Sequence, residues 1–386
     1  MRFFYLQVFI FFVNVSAFAQ VFEGFITIQH NQVNRRFYLY VPNDHQNVSS
    51  TPLLFNFHGG GGDPVSYMNY TSDMRDLAEA NNFILVYPEA TTDPNTGSIS
   101  WIDKASNGSP RDETLFVEAI INLINTDYSI DLDRIYACGY SEGGIFSYEL
   151  ACRLNNMIAG IASVSGSMLS ETERSNLGFI DCSPEHPTAI MLIAGTSDEN
   201  AHSRYQGCCL DYGLDSYYLS VEEITTYWKN YNVTDTNPII SEVSNTNTSD
   251  GSTVDRKIWS NGTGGVKIQE LKIIGGEHDW PGSSGNMDIN ANDEIWEFLS
   301  KFNKNGMIGN LNLFDEKKSI SISPNPFDSY VRIEGIDNEL LQIYDLHGRK
   351  YSLKINQNIL DTKSLQSGIY FLAIKEKKLV FKLIKY

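Results

Sequence analysis

Apolar residues along this chain fall in short runs that end in glycine. Pro52-Leu-Leu-Phe-Asn-Phe57 leads through His58 into four glycines, Ile135-Tyr-Ala-Cys138 runs into Gly139, Ala189-Ile-Met-Leu-Ile-Ala194 into Gly195, and Leu271-Lys-Ile-Ile274 into Gly275-Gly276. An unbroken apolar run of this length bounded by turn residues predicts a strand buried on both faces. The amphipathic segment that follows Gly139 predicts a helix packed on such strands, so the expected class is α/β, a mostly parallel sheet flanked by helices. The last helical pattern, Asp293-Glu-Ile-Trp-Glu-Phe-Leu299, gives way to a polar linker near Lys304-Asn-Gly306. Beyond it, Ser319 to Phe327, Tyr330 to Glu334, Leu340 to Arg349 and Gly368 to Ile374 alternate apolar and polar residues between turns, which predicts a small β-sandwich.

Charge sharpens that division. Residues 301 to 386 carry 14 Lys and Arg against 9 Asp and Glu, whereas the whole 386-residue chain carries 29 against 47 and a formal net charge of −18. A basic tail on an acidic body argues for two domains. An acidic body repels phosphate backbones and polyanionic polymers, so nucleic acid is not an expected partner. The first residues read as an export signal: Met1-Arg2, an apolar core from Phe3 to Val13, and Ala17-Phe-Ala19 before Gln20. That core is shorter than the ~20 residues of a membrane span. The expected organisation is a signal over 1–19, a main domain over 20–304, a linker over 305–318 and a tail domain over 319–386.

Four sites carry chemistry. Gly139-Tyr-Ser-Glu-Gly143 between a strand and a helix is the G-x-S-x-G elbow, a tight turn that exposes one strained serine, so Ser141 is the expected nucleophile. His58-Gly-Gly-Gly-Gly62 ends an upstream strand, where glycines let backbone N–H groups approach a developing oxyanion. The N–H of Glu142 and that of Gly59 or Gly60 are the expected donors, with His58 supporting the loop. A serine needs a base and the base an orienting acid, in the chain order Ser, acid, His. Asp198 and His278 each stand just past a predicted strand and fit that order. Of the other histidines, His30 and His45 precede the oxyanion strand, His186 stands ahead of the acid strand and His347 belongs to the tail; His202 is close to Asp198 and is expected to line the cleft or cap a loop. Glu199 and Asp279 are the neighbouring acids that could substitute. Trp101, Tyr205 and Trp280 are expected to line the substrate pocket. No metal-binding pattern and no cofactor motif occurs.

These residues resemble the secreted esterases that group polyhydroxybutyrate depolymerases with feruloyl and acetylxylan esterases, all α/β-hydrolases. The resemblance covers most of residues 21 to 304 and is carried by Arg36 to Pro42, the stretch at His58, Val86-Tyr-Pro88, Asp112 to Phe116, Asp131 to Tyr136 leading into the elbow, Gly195 to Asp198, and Gly275 to Gly282. It implies a Ser141–Asp198–His278 triad. Two positions depart from the pattern: the residue before Trp101 is Ser100 where the family has cysteine, and the residue after the nucleophile is Glu142 where the family has a small one. The segment from Tyr205 to Tyr218, rich in tyrosine and containing cysteine, is a further departure that is expected to shape a substrate wall. The tail is similar to the C-terminal sorting domain of the type nine secretion system, through Ser323-Pro-Asn-Pro-Phe327, Tyr344-Asp-Leu-His-Gly-Arg349, Ser367-Gly-Ile-Tyr370 and a basic last strand.

The function so implied is that of a secreted serine carboxylic ester hydrolase removing feruloyl or acetyl groups from plant cell wall polysaccharide, located outside the cell or at its surface, with the export machinery as partner of the tail. Polyhydroxyalkanoate depolymerisation is the next reading. A serine peptidase and a non-catalytic surface binding protein are the alternatives of another class; the first lacks the gating domain such enzymes commonly carry, and the second requires a broken triad. A histidine base must be neutral, so turnover is expected to fall below roughly pH 6 to 7. Five cysteines, Cys138, Cys152, Cys182, Cys208 and Cys209, leave at least one unpaired. Cys138 beside the elbow is the expected inert thiol, and Cys182 with Cys208 or Cys209 the expected bridge.

Overall fold

The glycine-terminated runs form the strands of one large sheet. In the computed structural model the described residues are 22–47, 50–92, 97, 99–102, 112–199, 205, 217–309, 321–334, 341–346, 349–351, 353, 355–356, 359–374 and 379–386. The expected signal at 1–19, His202, Cys208, Cys209 and His347 lie outside them. The chain divides into one unit through Ile308 and a second over Gly309–Tyr386.

The strands of the first unit are β1 (Phe22–His30), β2 (Val33–Val41), β3 (Thr51–Phe57), β4 (Ile84–Pro88), β5 (Thr91–Thr92), β6 (Ile99–Ser100), β7 (Ile130–Tyr140), β8 (Gly160–Val164), β9 (Ala189–Gly195), β10 (Ile239–Glu242), β11 (Thr253–Trp259) and β12 (Ile268–Ile274). Ten of them make a sheet in the order β1-β2-β4-β3-β7-β8-β9-β12-β11-β10; β5 and β6 pair separately as a short hairpin. The central run from β4 to β12 is parallel, and antiparallel strands close both ends. The helices are α1 (Pro64–Tyr70), α2 (Arg75–Asn81), α3 (Glu113–Asp127), α4 (Glu142–Arg153), α5 (Glu171–Asn176), α6 (Val221–Asn232) and α7 (Ala291–Leu299).

Side chains alternate across a strand, and the core follows that period. Leu53, Phe55 and Phe57 of β3 join Ile120 of α3, Phe146 of α4 and Trp228 of α6 in one cluster. Leu54 between them faces the opposite layer, with Tyr136 and Cys138 of β7, Ala78 of α2 and Phe298 of α7. Both faces of the central strands are therefore covered, which is why their sequences are apolar without interruption.

A hairpin of β13 (Phe302–Asn303) with β14 (Gly306–Met307) follows α7, so the first unit extends past residue 304 into the stretch expected as linker. In the second unit β15 (Ser321–Ser323), β16 (Tyr330–Glu334), β17 (Leu341–Asp345), β18 (Lys350–Tyr351), β19 (Ile355–Asn356), β20 (Ile359–Asp361), β21 (Gly368–Ile374) and β22 (Leu379–Lys385) form two four-stranded sheets, ordered β15-β16-β20-β19 and β18-β17-β21-β22. Its core is Phe327, Val331, Ile333, Ile343, Leu360, Leu372 and Leu383, as expected of a small sandwich. Among the described residues no helix is long and apolar enough to cross a membrane.

The disulfide differs from expectation. Cys182 bonds Cys152, with Cα atoms 4.6 Å apart, rather than Cys208 or Cys209. Cys152 lies on the last turn of α4, and that helix end packs beside the segment that leads into β9, a meeting of elements 30 residues apart that local sequence does not reveal. Cys138 is a buried free thiol, and burial pushes its ionisation well up, as suits an inert side chain.

Beside that bridge lies a fully buried ion pair, Arg174 with Glu149, in which Arg174 Nη2 also donates to Ile180 O at 2.5 Å. Burial pushes the Glu149 carboxyl up, and the Arg174 charge pulls it back. Removing the cation alone strands a buried carboxylate, so Arg174→Leu is expected to cost about 3–5 kcal/mol. Arg174→Leu/Glu149→Leu is expected to recover most of that loss. Urea denaturation midpoints of the two variants check it; a double variant no more stable than the single one would contradict the assignment.

Candidate active site

Backbone crowding sets the site. A Cβ on Gly139 would lie 2.4 Å from the Gly143 carbonyl group, and one on Gly143 would lie 2.3 Å from Phe57 O. Only glycine lets β7, the start of α4 and the end of β3 approach so closely. The turn between them holds Ser141 at φ 53° and ψ −118°, a strained conformation for a residue with a side chain. It is fastened by Ser141 N to Val164 O at 2.9 Å and Ile145 N to Ser141 O at 3.0 Å. The strain aims the hydroxyl out of the sheet edge at the start of a helix.

The expected acid and base follow adjacent parallel strands. β9 and β12 pair in a register that sets Gly195 opposite Ile273, so the loops that follow leave the sheet side by side. Thr196 N donates to Ile273 O at 2.9 Å, Ser197 N to Gly276 O at 2.8 Å, and Gly275 N to Thr196 Oγ1 at 2.9 Å. A Cβ on Gly195 would sit 2.3 Å from Gly276 O, so this lacing too depends on glycine. The outcome is a line of three side chains: His278 Nδ1 stands 2.7 Å from Asp198 Oδ2 and Nε2 stands 3.0 Å from Ser141 Oγ. The Asp198 side chain is fully buried and the imidazole 21% exposed, so one end of the line is shielded and the other open. With Nδ1–H donated to the carboxylate, Nε2 carries the lone pair that can take a proton from the serine. Glu199, the neighbouring acid, is exposed, and the Asp279 carbonyl accepts from Ser165 Oγ at 3.1 Å.

The glycine loop lies across from the hydroxyl. A Cβ on Gly59 would be 3.5 Å from Ser141 Cβ, and one on Gly60 would be 2.8 Å from Glu142 Oε2. Gly61 N donates to Ile99 O at 2.8 Å and Gly62 N to Gly59 O at 3.1 Å, whereas the N–H groups of Gly59 and Gly60 have no acceptor among the described residues. His58 is buried and supports the loop as expected. Its Nδ1–H donates to Gly59 O at 2.7 Å and its Nε2 accepts from Ala90 N at 3.4 Å, an arrangement that needs the neutral ring. Burial holds this imidazole below the usual histidine range, which keeps it neutral.

The three aromatic residues expected in the pocket are not its walls. Trp101 is buried among Phe57, Phe146 and His58, and its indole N–H donates to His58 O at 2.7 Å, so it holds the oxyanion strand from beneath. Tyr205 is buried with its hydroxyl donating to Glu270 Oε1 at 2.9 Å on β12 and Lys272 Nζ over its ring. Trp280 is 1% exposed and donates to Asn292 Oδ1 at 3.1 Å. In each case a polar partner distant in sequence draws the ring inward.

The aromatic surface beside the glycine loop is instead Tyr70, 81% exposed, with the half-buried Tyr140, and Tyr67 lies buried behind it with its hydroxyl donating to Asn56 Oδ1 at 2.9 Å. An open cleft of ≈ 320 Å³ is lined by His58, Gly59, Gly60, Tyr67, Tyr70 and Tyr140, among others. Tyr67 and Tyr70 are three apart on α1, directly after the glycines, which is the signal that could have found them. Trp280 packs edge-on against Tyr67 at 5.8 Å, so both rings lie behind the cleft. Tyr140 is the variable second residue of the elbow motif. Its hydroxyl donates to His278 O at 2.6 Å, and burial, then the charges of Asp279 and Asp198, push its ionisation up to about 12, so it remains a donor.

Comparison with known proteins now bears on both units. Residues 321–385 match the secretion system C-terminal sorting domain family. The chain is 25% identical over 275 residues to a bifunctional acetylxylan esterase/xylanase of Neocallimastix patriciarum, covering 71% of this chain and 34% of that protein. It is 29% identical over 136 residues to feruloyl esterase B of Thermothelomyces thermophilus, covering 35% of this chain and 45% of that one. This chain thus spans less than half the length of these relatives. Among solved structures, the acetyl xylan esterase from Aspergillus awamori superposes with a TM-score of 0.50 at 15% identity, covering 72% of this chain and 99% of that one. The first unit has the α/β-hydrolase fold, and the tail is a secretion sorting domain. The turn with Ser141 and the loops with Asp198 and His278 follow β7, β9 and β12.

Nucleophile activation in this α/β-hydrolase unit can be tested without a substrate. Diisopropyl fluorophosphate is expected to label Ser141 stoichiometrically. Tyr140→Phe removes one hydrogen bond, about 1 kcal/mol, and is expected to slow labelling several-fold through a looser His278. Intact-protein mass spectrometry over time reads both, and equal rates for Tyr140→Phe and the parent would rule out the anchoring role.

Proposed function

We propose that the protein is a secreted serine carboxylic ester hydrolase that removes acyl groups, feruloyl or acetyl, from plant cell wall polysaccharide. The observation that carries this reading is the placement of one imidazole between Ser141 Oγ at 3.0 Å and Asp198 Oδ2 at 2.7 Å. In the proposed cycle His278 Nε2 takes the serine proton as Oγ bonds to the ester carbonyl carbon. The resulting oxyanion is met by the N–H of Glu142 and that of Gly59 or Gly60. The imidazolium then protonates the leaving alcohol, and water repeats the sequence on the acyl-enzyme. Asp198 stays ionised, holding the ring in the working tautomer.

The substrate class takes its support from the printed functions of the relatives, an acetylxylan esterase/xylanase and a feruloyl esterase. The tyrosine-lined cleft beside the glycine loop has room for a ring-bearing group. A site of action outside the cell or at its surface takes its support from the sorting domain and from the signal pattern over residues 1–19. The domain plan proposed is a signal over 1–19, an esterase unit from residue 20 through Ile308, a linker, and a sorting domain over 319–386.

Turnover of p-nitrophenyl acetate, methyl ferulate, acetylated xylan, hydroxybutyrate oligomers and a peptide tests the reading. Methyl ferulate or acetylated xylan is expected to be the best substrate, and Ser141→Ala is expected to lower kcat roughly 10⁴-fold or more. Best turnover of hydroxybutyrate oligomers would move the function to polyester breakdown, and best turnover of the peptide would move it to proteolysis. No hydrolysis by the parent protein would favour a binding role.

A further inference from the structure

The two residues that depart from the resembled esterase pattern touch each other. Ser100 Oγ donates to Glu142 Oε1 at 2.5 Å, joining the last residue of the β5–β6 hairpin to the first residue of α4. The hairpin in turn holds the glycine loop, since Ile99 O accepts from Gly61 N at 2.8 Å. Its other strand is pinned in the same manner. Thr91 N and Oγ1 donate to Glu113 Oε1 at 3.1 and 2.7 Å, and Glu113 is the first residue of α3, ion-paired in the interior with Arg35 at 2.6 Å. The hairpin is thus a strap over the glycine loop, fastened at both ends by glutamates that open helices. Glu142 is the fastening next to the nucleophile.

We propose that the Glu142 side chain is a positioning residue for the oxyanion hole, acting through Ser100 and the β5–β6 strap on the glycine loop. Its backbone N–H and its carboxylate then have separate tasks: the first faces the reacting carbonyl and the second sets how far the opposing loop stands from it. The carboxylate lies against that loop directly, because a Cβ on Gly60 would come within 2.8 Å of Oε2. On electrostatic grounds alone, a negative charge here is unfavourable to an oxyanion. The N-terminal end of α4 favours a carboxylate at this position and the Ser100 hydroxyl donates to it, so the charge is held by groups already in place. What the carboxylate contributes is a fixed acceptor.

This inference rests on the ester hydrolase reading, and Ser141→Ala separates the two. The experiment measures kcat and KM for p-nitrophenyl acetate in the full chain carrying Ser100→Ala, Glu142→Ala, both together, or Glu142→Gln. A displaced oxyanion donor weakens the transition state rather than substrate binding, so each alanine variant is expected to lose roughly tenfold in kcat with KM within about twofold. The double variant is expected to be no worse than the poorer single one, because the two residues act as one tie. Glu142→Gln keeps an acceptor for Ser100 and is expected to recover most of the loss. Ser100→Ala removes a single oxygen atom, and its thermal midpoint shows whether the fold is kept. Wild-type kcat in both alanine variants, multiplicative losses in the double variant, or Glu142→Gln as poor as Glu142→Ala would each overturn the inference. If Ser141→Ala retains parental turnover, it is the hydrolase reading that fails.

Discussion

The structure turns on one steric constraint: the backbone of β3, β7 and α4 converges to a separation that admits no side chain at Gly139 or Gly143. That contact places the end of β3, and with it His58 and the glycine loop, against the first turn of α4. It also forces Ser141 into a conformation that residues with a Cβ avoid. Strain of this sort persists only where the surroundings over-determine it. Here they are a parallel sheet buried on both faces, with helices packed against either side, so the geometry of Ser141 is drawn from the whole core of the unit.

A second constraint brings in the partners. Asp198 and His278 are 80 residues apart, yet they meet because β9 and β12 are neighbours in register, β9 ending in Gly195 and β12 followed by Gly275. Tyr140 closes the arrangement from the nucleophile side by holding the His278 carbonyl. Ser165 does so from just past β8, where its backbone has positive φ and its hydroxyl donates to Asp279 O. The loop bearing His278 is therefore held from the ends of β7, β8 and β9, and the Tyr140 ring also packs against the imidazole, with centroids 5.1 Å apart.

Much of this was legible along the chain, and the reasons are local. Ser141, Asp198 and His278 each stand just beyond an apolar run that ends in glycine, so strand prediction and chemistry point to the same residues. The β-sandwich tail was legible through its alternation. What escaped depended on encounters between distant segments. Trp101 reads equally well as a pocket wall or a support, and only the approach of His58 O from 43 residues upstream decides it. Trp280 and Tyr205 are decided in the same way by Asn292 and Glu270. Tyr140 occupies a variable position of its motif, so nothing marked it, and Tyr70, with Tyr67 behind it, comes to the cleft only because α1 turns back beside the glycines.

The Cys152–Cys182 bond links the end of the helix that begins after Ser141 to the segment that precedes β9, the strand whose following loop bears Asp198. A protein made in the reducing interior of a bacterial host would lack this bond, because cytosolic thiols are kept reduced. Material recovered by such a route is a different covalent species from the oxidised chain, and its heat tolerance and shelf life describe that species alone. Production in the periplasm, or refolding with a glutathione couple, yields the chain with its cross-link closed.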